Sequence, residues 1–204
     1  AKVFCWDDKK KKRNEIKKKN FDIIKFWLKK KIIDIIVVSP GIDINKCKIK
    51  KYLRNNKSKI ITDLDLFFEK EKNALVISIT GTNGKSTTCK ILEKILKNAN
   101  YDVKLLGNIG KPILSVKNEK KKYVYILEVS SYQLQYSKTF RSKHAAILNI
   151  SPDHLERHKN INNYIKIKSK IFFAQKDNDY SYINYENSHS QDIKNILRKK
   201  KIKS

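Results

Sequence analysis

The stretch "LVISITGTNGKSTTCKIL", Leu75 to Leu92, decides how this chain is read. It runs apolar to Ile79, breaks into small polar residues around Gly81 and Gly84, presents Lys85, and turns apolar again at helical spacing. A strand, a tight glycine turn and a helix opening with Lys-Ser-Thr make an anion trap. Backbone N–H groups and the helix dipole converge on a phosphate there, and Lys85 adds a full positive charge. The spacing is not that of the common phosphate loop GxxxxGK[ST], which needs glycine at position 79, where this chain has Ile. Gly81 instead gives the shorter "GTNGKST". An incidental glycine turn before a helix is the plain alternative, and the strand and helix on either side weigh against it. The expected ligand of Gly81, Thr82, Asn83, Gly84, Lys85, Ser86 and Thr87 is a nucleoside triphosphate, with the Ser86 hydroxyl facing a magnesium ion.

Two further segments end at the same expected sheet edge. "YVYILEVSSYQLQ", residues 123 to 135, is an apolar strand that delivers Glu128 at its carboxyl end. Ligands of open α/β sheets bind at that edge, so Glu128 is placed to reach the same magnesium as Ser86. "AAILNISPDHLERH", residues 145 to 158, is another strand running into a polar loop with Asp153, His154, Arg157 and His158. A glutamate at a strand end or a histidine in a loop is more often simply solvated. Their weight comes from Lys85. Together these residues fit phosphoryl transfer, where catalysis is mainly positioning and charge neutralisation.

The rest of the chain has the rhythm of an α/β protein. Val3 to Trp6 is a short apolar run ending in Asp7 and Asp8; a lysine-rich stretch with helical spacing follows, then a second apolar run, "IIDIIVV", residues 32 to 38, that stops at Ser39-Pro40-Gly41. Strand, helix, strand is the pattern of a parallel sheet. In a Rossmann unit a carboxylate at the end of the second strand meets a ribose, about 20 residues after a glycine-rich turn; that turn would lie before residue 1. Capping of the next helix by Asp7 and Asp8 is the equal alternative. "ITDLDLFFEKEKN", residues 61 to 73, reads as a short helix before a junction, so the boundary is expected near Lys70 to Asn73. The fold expected is α/β: a partial Rossmann-like N-terminal domain, residues 1–72, then a phosphate-loop domain with a mainly parallel sheet, residues 73–204. In the second domain a helix is expected over Ser86–Asn98, and strands over Leu75–Ile79, Val103–Leu106, Val124–Leu127, Ala145–Ile150 and Tyr180–Ile183.

Composition bounds the partners. The chain has 204 residues, 40 % of them hydrophobic, enough for a packed core. Its apolar runs fall far short of the roughly 20 residues of a membrane span, and no leader is visible, so a cytoplasmic protein is expected. Cys5, Cys47 and Cys89 are widely spaced, with no CxxC pair, and read as reduced bystanders. The formal charge of +27 invites a nucleic-acid reading. Yet Arg occurs only at 13, 54, 141, 157 and 198, so 42 of the 47 basic residues are lysine, in the company of abundant Ile and Asn. That is a solvated face written by a compositional bias, and no nucleic acid is expected. There is no methionine, and "AKVFCW" opens directly as a strand, so the sequence reads as a piece of a longer protein.

In this order and spacing, "GTNGKSTT", "GNIG" at 107 to 110, "LEVSSYQL" and "LNISPDHLERH" resemble the Mur ligase family, and "WDD", "VVSPGI" and "TDLDLF" extend the likeness upstream over most of the chain. Ser86, where several relatives carry Thr, and Tyr132-Gln133 after the paired serines resemble the branch that joins D-glutamate to UDP-N-acetylmuramoyl-L-alanine in peptidoglycan synthesis. The resemblance implies an ATP-dependent ligase. The γ-phosphoryl group of ATP passes to the substrate carboxylate, and the amine of D-glutamate attacks the acyl phosphate through a tetrahedral intermediate. It implies that residues 81–87 hold the ATP phosphates and that Lys85, His154 and Lys168 are catalytic. Ser86, Glu128, His154 and Lys168 would serve two magnesium sites. Asn108, Gln133 and His154 would meet the muramoyl substrate or a second metal shell, Gly41 would line the substrate's path, and Asp7 and Asp8 fall where the family meets uridine.

The resemblance also implies a carbamylated lysine in "YIKIKSKIF", placed at Lys168, which by residue pattern alone is a solvated helix lysine flanked by Lys166 and Lys170. A carbamate turns that cation into an oxygen ligand suited to magnesium. A monomer is expected. The family has three domains; here the opening strand and glycine turn of the first are lacking, the central one stops near Ser204, and the third, which brings the D-glutamate site, is absent. Nucleotide binding without ligation is therefore expected of these residues alone. The alternatives are another Mur ligase or a folylpolyglutamate synthase, and, from a different class, a basic nucleic-acid-binding module with a degenerate phosphate loop.

Overall fold

The computed structural model describes residues 2–23, 33–116 and 121–199. The chain divides into two compact units, Ala1–Ile36 with Gly41–Ile60, and Val37–Pro40 with Ile61–Ser204.

In the first unit, β1 (Phe4–Cys5), α1 (Lys10–Lys18) and β2 (Asp22–Ile23) form a strand–helix–strand unit. The strands pair in parallel, Phe4 opposite Asp22 and Cys5 opposite Ile23. This corrects the expected second strand. α1 ends early because Asn20 takes a left-handed φ of 59°, and the chain re-enters the sheet at Asp22, not in the run 32–38. Of that run, β3 (Ile36–Val37) pairs with β4 (Ile60–Ile61), where the division cuts the chain; Ile32 lies outside the described residues. Between β3 and β4 lies α2 (Lys50–Asn55), whose Leu53 is its buried residue.

The second unit opens with α3 (Asp63–Lys70), started by a capping box in which the Thr62 side chain accepts from the backbone of Asp65, and the Asp65 carboxylate accepts from Thr62 N. Asp65 is buried, and its Oδ1 accepts from the backbone N–H groups of Lys138, Thr139 and Phe140 and the hydroxyl of Ser137. Burial pushes its pKa up, but these hydrogen bonds outweigh that and hold it below the usual carboxylate range. Because α3 is tied in this way to residues 137–140, it packs with the second unit. The boundary therefore falls at Ile60/Ile61 and not at residues 70–73.

Then follow β5 (Leu75–Thr80), α4 (Lys85–Asn98), β6 (Val103–Gly107), β7 (Val124–Glu128), α5 (Ser131–Tyr136), β8 (His144–Ile147), α6 (Leu155–His158), α7 (Ile161–Ser169), β9 (Tyr180–Ile183) and α8 (Ser190–Lys199). The five strands make one parallel sheet in the order β6-β7-β5-β8-β9. Every residue of β7 is buried, as the uninterrupted run Val-Tyr-Ile-Leu-Glu of a two-faced parallel strand requires. One core contains Ile79, Cys89 and Ile126, with Leu92 and Leu96 of α4 packed on it; the larger core gathers residues of α3, α5, α7 and α8, including Leu64, Leu134, Ile165 and Leu197. β8 stops at Ile147 because the next residues are drawn to the turn after β5, with Leu148 N donating to Thr80 O and Thr82 N to Asn149 O.

Candidate functional site

The register sets three chain ends at one height. Ile79 of β5 lies opposite Glu128 of β7, and Thr80 opposite Ile147 of β8. All three strands therefore release their loops at the same carboxyl edge, as the sequence pattern implies.

The turn after β5 is shaped by its backbone. Gly84 sits at φ 80° and is the cap of the 14-residue helix α4; a side chain there would cost about 1–2 kcal/mol in the left-handed region. The first N–H groups of α4 then point out of the turn as anion donors. Lys85 folds back so that Nζ donates to Gly81 O at 2.9 Å and Thr82 O at 2.8 Å. The ammonium is thereby held at the lip of the turn.

Ser86 Oγ donates to Glu128 Oε2 at 2.7 Å, and Asn108 Nδ2 donates to Glu128 Oε1 at 2.9 Å. Glu128 is 1 % exposed. Asn108 reaches it because β6 and β7 close up at Gly107, where a Cβ would lie 2.3 Å from Glu128 O. Only glycine permits that approach. Hydroxyl, carboxylate and amide thus meet beside the phosphate turn, an oxygen-rich set of the kind magnesium takes together with a nucleotide's phosphates. Among the described residues no cluster of three or more His, Cys, Asp or Glu forms a metal cage by itself.

Lys168 is 2 % exposed, and its Nζ donates to Gly81 O at 2.8 Å and Thr80 Oγ1 at 3.2 Å. Burial, and then the nearby Lys85 charge, pull its pKa down to about 7. It is not the solvated helix lysine that its flanks suggest, and Lys85 and Lys168 share one carbonyl oxygen. His154 caps α6 with a left-handed φ of 52°, its ring half-exposed and 5.0 Å from the Tyr132 ring. Gln133 is 5 % exposed: Oε1 accepts from Ser130 N and Oγ, closing a capping box at the start of α5, and Nε2 donates to Asp63 Oδ2 at 3.0 Å. Burial raises the Asp63 pKa.

In the first unit, Asp7 Oδ1 accepts from Lys9 N, while Asp8 accepts from Trp6 Nε1 and Lys48 N. Their carboxylates are thus engaged with the turn entering α1 and the segment before α2. A Cβ on Gly41 would meet nothing within 4 Å.

Asn149, Tyr164 and the residues of one cleft were not singled out from the sequence, and His158 was read only as a loop residue. Asn149 Oδ1 accepts from Thr82 N and Asn83 N, and its Nδ2 donates to Asn83 O, so one amide clamps the phosphate turn. Tyr164 OH lies 3.4 Å from Thr82 Oγ1, which also accepts from Ser151 N. His158 is fully buried. A cleft of about 440 Å³ runs from Gly84 and Thr88 past Asn149 to Tyr182 and Asn184; nothing in the local spacing of Tyr182 and Asn184 marks them for a site.

The family model described as the Mur ligase middle domain matches residues 79–204, which include the phosphate turn, Glu128 and Lys168. The chain belongs to the Mur ligase family. Among curated Mur ligases it is 42 % identical over 201 residues to the UDP-N-acetylmuramoylalanine--D-glutamate ligase of Rickettsia bellii, covering 97 % of this chain and 44 % of the relative. It is 46 % identical over 166 residues to the enzyme of the same name from Rickettsia felis, covering 81 % of this chain and 36 % of the relative. The chain thus spans less than half the length of these relatives. In fold it is similar to the UDP-N-acetylmuramate:L-alanyl-gamma-D-glutamyl-meso-diaminopimelate ligase of Neisseria meningitides, with a TM-score of 0.56 at 15 % identity over 96 % of this chain and 66 % of that one. Among the described residues of this Mur ligase chain, no helix is long and apolar enough to cross a membrane.

Proposed function

We propose that this chain is the nucleotide-binding part, with a portion of the substrate domain, of an ATP-dependent ligase that joins D-glutamate to UDP-N-acetylmuramoyl-L-alanine. The observation that carries the reading is the Ser86–Glu128–Asn108 set beside Lys85, because it pairs a cation-binding edge with a phosphate-binding turn. The shared name of the relatives supports the choice of acceptor.

A carboxylate is a poor electrophile until one oxygen becomes a leaving group, and phosphoryl transfer from ATP supplies that change. In this reading the N–H groups of residues 81–87 hold the phosphates and Lys85 neutralises their charge. The cleft from Gly84 to Asn184 is of the size that receives the nucleoside. Ser86 and Glu128 would hold magnesium, which when bound neutralises charge on the transferring group. With a pKa near 7, Lys168 has an uncharged amine fraction at neutral pH. That amine adds to carbon dioxide, losing a proton, to give the carbamate that a second magnesium would take with His154. Asn108 and His154 face the muramoyl substrate, and Gln133 sets α5 beside it. The N-terminal residues form part of the domain for the UDP-linked substrate, with Asp7 and Asp8 on the uridine side and Gly41 lining the path of the muramoyl group. The protein acts as a cytoplasmic monomer.

The test is phosphate release from ATP by the complete reading frame, given UDP-N-acetylmuramoyl-L-alanine and a panel of amino acids, with Lys85→Ala as control. Release that needs D-glutamate and disappears in the variant is expected. Release with a different amino acid would move the protein to another branch, and silence across the panel would overturn the ligase reading.

A further inference from the structure

His158 sits where three parts of the site meet. It is fully buried, its Nε2 lies 3.0 Å from Ser131 Oγ, and the described residues leave its Nδ1 without a hydrogen-bond partner. Its ring packs between Tyr132, 5.6 Å away, and Tyr164, 5.4 Å away, centroid to centroid. Each neighbour leads to a different group. Ser131 opens α5, three residues after Glu128. The Tyr132 ring lies tilted against the His154 ring, 5.0 Å away centroid to centroid. Tyr164 carries Lys168 Nζ over its ring at 4.8 Å and holds its hydroxyl 3.4 Å from Thr82 Oγ1 of the phosphate turn.

Packing volume alone does not account for this residue. A buried polar atom without a partner destabilises the fold, a cost that a phenylalanine filling the same space would avoid. What phenylalanine lacks is the hydrogen bond to Ser131. Burial first, and then the charges of Arg157, His154 and Lys168, hold the imidazole pKa down to about 4, so the ring is neutral at pH 7 and adds no charge to a cation site.

We propose that His158 is a positioning residue for the cation side of the site: through Ser131, Tyr132 and Tyr164 it locks α5, the His154 loop and α7 together, so that Glu128, His154 and Lys168 face the phosphate turn as one set. The inference rests on the reading of this edge as a magnesium–nucleotide site. Groups that orient metal ligands from behind typically change metal affinity about 10–100-fold when removed. In the proposed reading the phosphates are held by Lys85 and the N–H groups of residues 81–87, which His158 meets only at one remove, through Tyr164 and the Thr82 hydroxyl, whereas its own contacts lead to α5, the His154 loop and α7. The effect of His158 therefore falls on the magnesium-dependent part of binding.

ATP is titrated into the chain by calorimetry with and without Mg²⁺, for the native sequence and for Lys85→Ala, His158→Phe, His158→Gln and Ser131→Ala. Lys85→Ala is expected to weaken binding in both conditions. His158→Phe is expected to keep the Mg²⁺-free affinity and lose about tenfold of the gain that Mg²⁺ brings. Gln, which restores a donor towards Ser131, recovers most of it. Ser131→Ala removes the same hydrogen bond from the other side with little loss of volume, and reproduces the loss even where His158→Phe folds poorly. A native Mg²⁺ gain in Ser131→Ala, or equal losses with and without Mg²⁺ in the His158 variants, overturns the positioning role alone. Absence of ATP binding by the native chain overturns the nucleotide reading and this inference with it.

Discussion

The turn after β5, residues 81–84, and the segment after β8, residues 148–158, meet at one edge of the sheet and are built in different ways. The first takes its shape from the backbone: Gly84 at a positive φ, the start of α4, and a lysine bonded to two carbonyl oxygens of the turn itself. The second takes its shape from side chains that reach across the sequence, Asn149 to residues 82 and 83, and Ser151 N to the Thr82 hydroxyl. A backbone-built site needs particular residues at fixed local spacing, and so announces itself as a motif. A side-chain-built site uses ordinary residues whose partners lie 66 to 69 positions away, and no local pattern betrays it.

Three substitutions separate these two modes of construction. The largest effect is expected from Lys85→Ala, which removes the charge from the backbone-built turn. ATP affinity should fall about 100-fold by calorimetry, in line with up to about 3 kcal/mol for a charge-assisted contact. An unchanged affinity would mean that the helix terminus alone holds the phosphates. Next comes Asn149→Ala, which leaves Asn83 N–H without its acceptor while Thr82 keeps the bond to the Asn149 carbonyl. A loss of about 2 kcal/mol, or roughly 4–8 °C in melting temperature, is expected. A native melting temperature would show that glycine geometry suffices and would erase the contrast.

The third comparison concerns pH. His158 has a folded pKa of about 4 against an ordinary 6.5. Between those values the unfolded chain binds a proton that the folded chain refuses, so stability falls as pH drops through that window and levels off below it. The difference in melting temperature between native protein and His158→Phe should follow that curve and be flat above pH 7. A difference that ignores pH would mean the imidazole is not held neutral.

Much of the second unit was legible from residue pattern. The strands at 75–80, 103–107, 124–128 and 180–183 and the helix at 85–98 follow apolar runs whose lengths suit one period or the other, even in a lysine-heavy chain. The first unit was less so, because β1 and β2 are two residues each and α1 buries none of its side chains, which leaves little pattern to read. In the site, the Ser86 hydroxyl meets Glu128, and Lys85 folds onto the turn that precedes it. Lys168 was reachable only by resemblance. Its surroundings are made by β5 and the Gly81 carbonyl, 87 residues away, so its own neighbours describe a different environment from the one it occupies. Gln133 shows the reverse case: its motif was visible, while its engagement with Ser130 and Asp63 was not.

The in-register pairing of β5 with β7 also limits how this chain can change length. Side chains alternate faces along a strand, so one residue inserted or deleted between Val124 and Leu127 turns Glu128 away from Ser86 to the opposite face of the sheet. A two-residue change restores the face but displaces the carboxylate by about 6–7 Å, beyond any hydrogen bond to Ser86 or Asn108. The apolar letters of this strand are exchangeable within limits of volume, whereas their number is not. Lineages of this domain can therefore drift in composition along β7 while insertions and deletions are confined to the loops at its two ends.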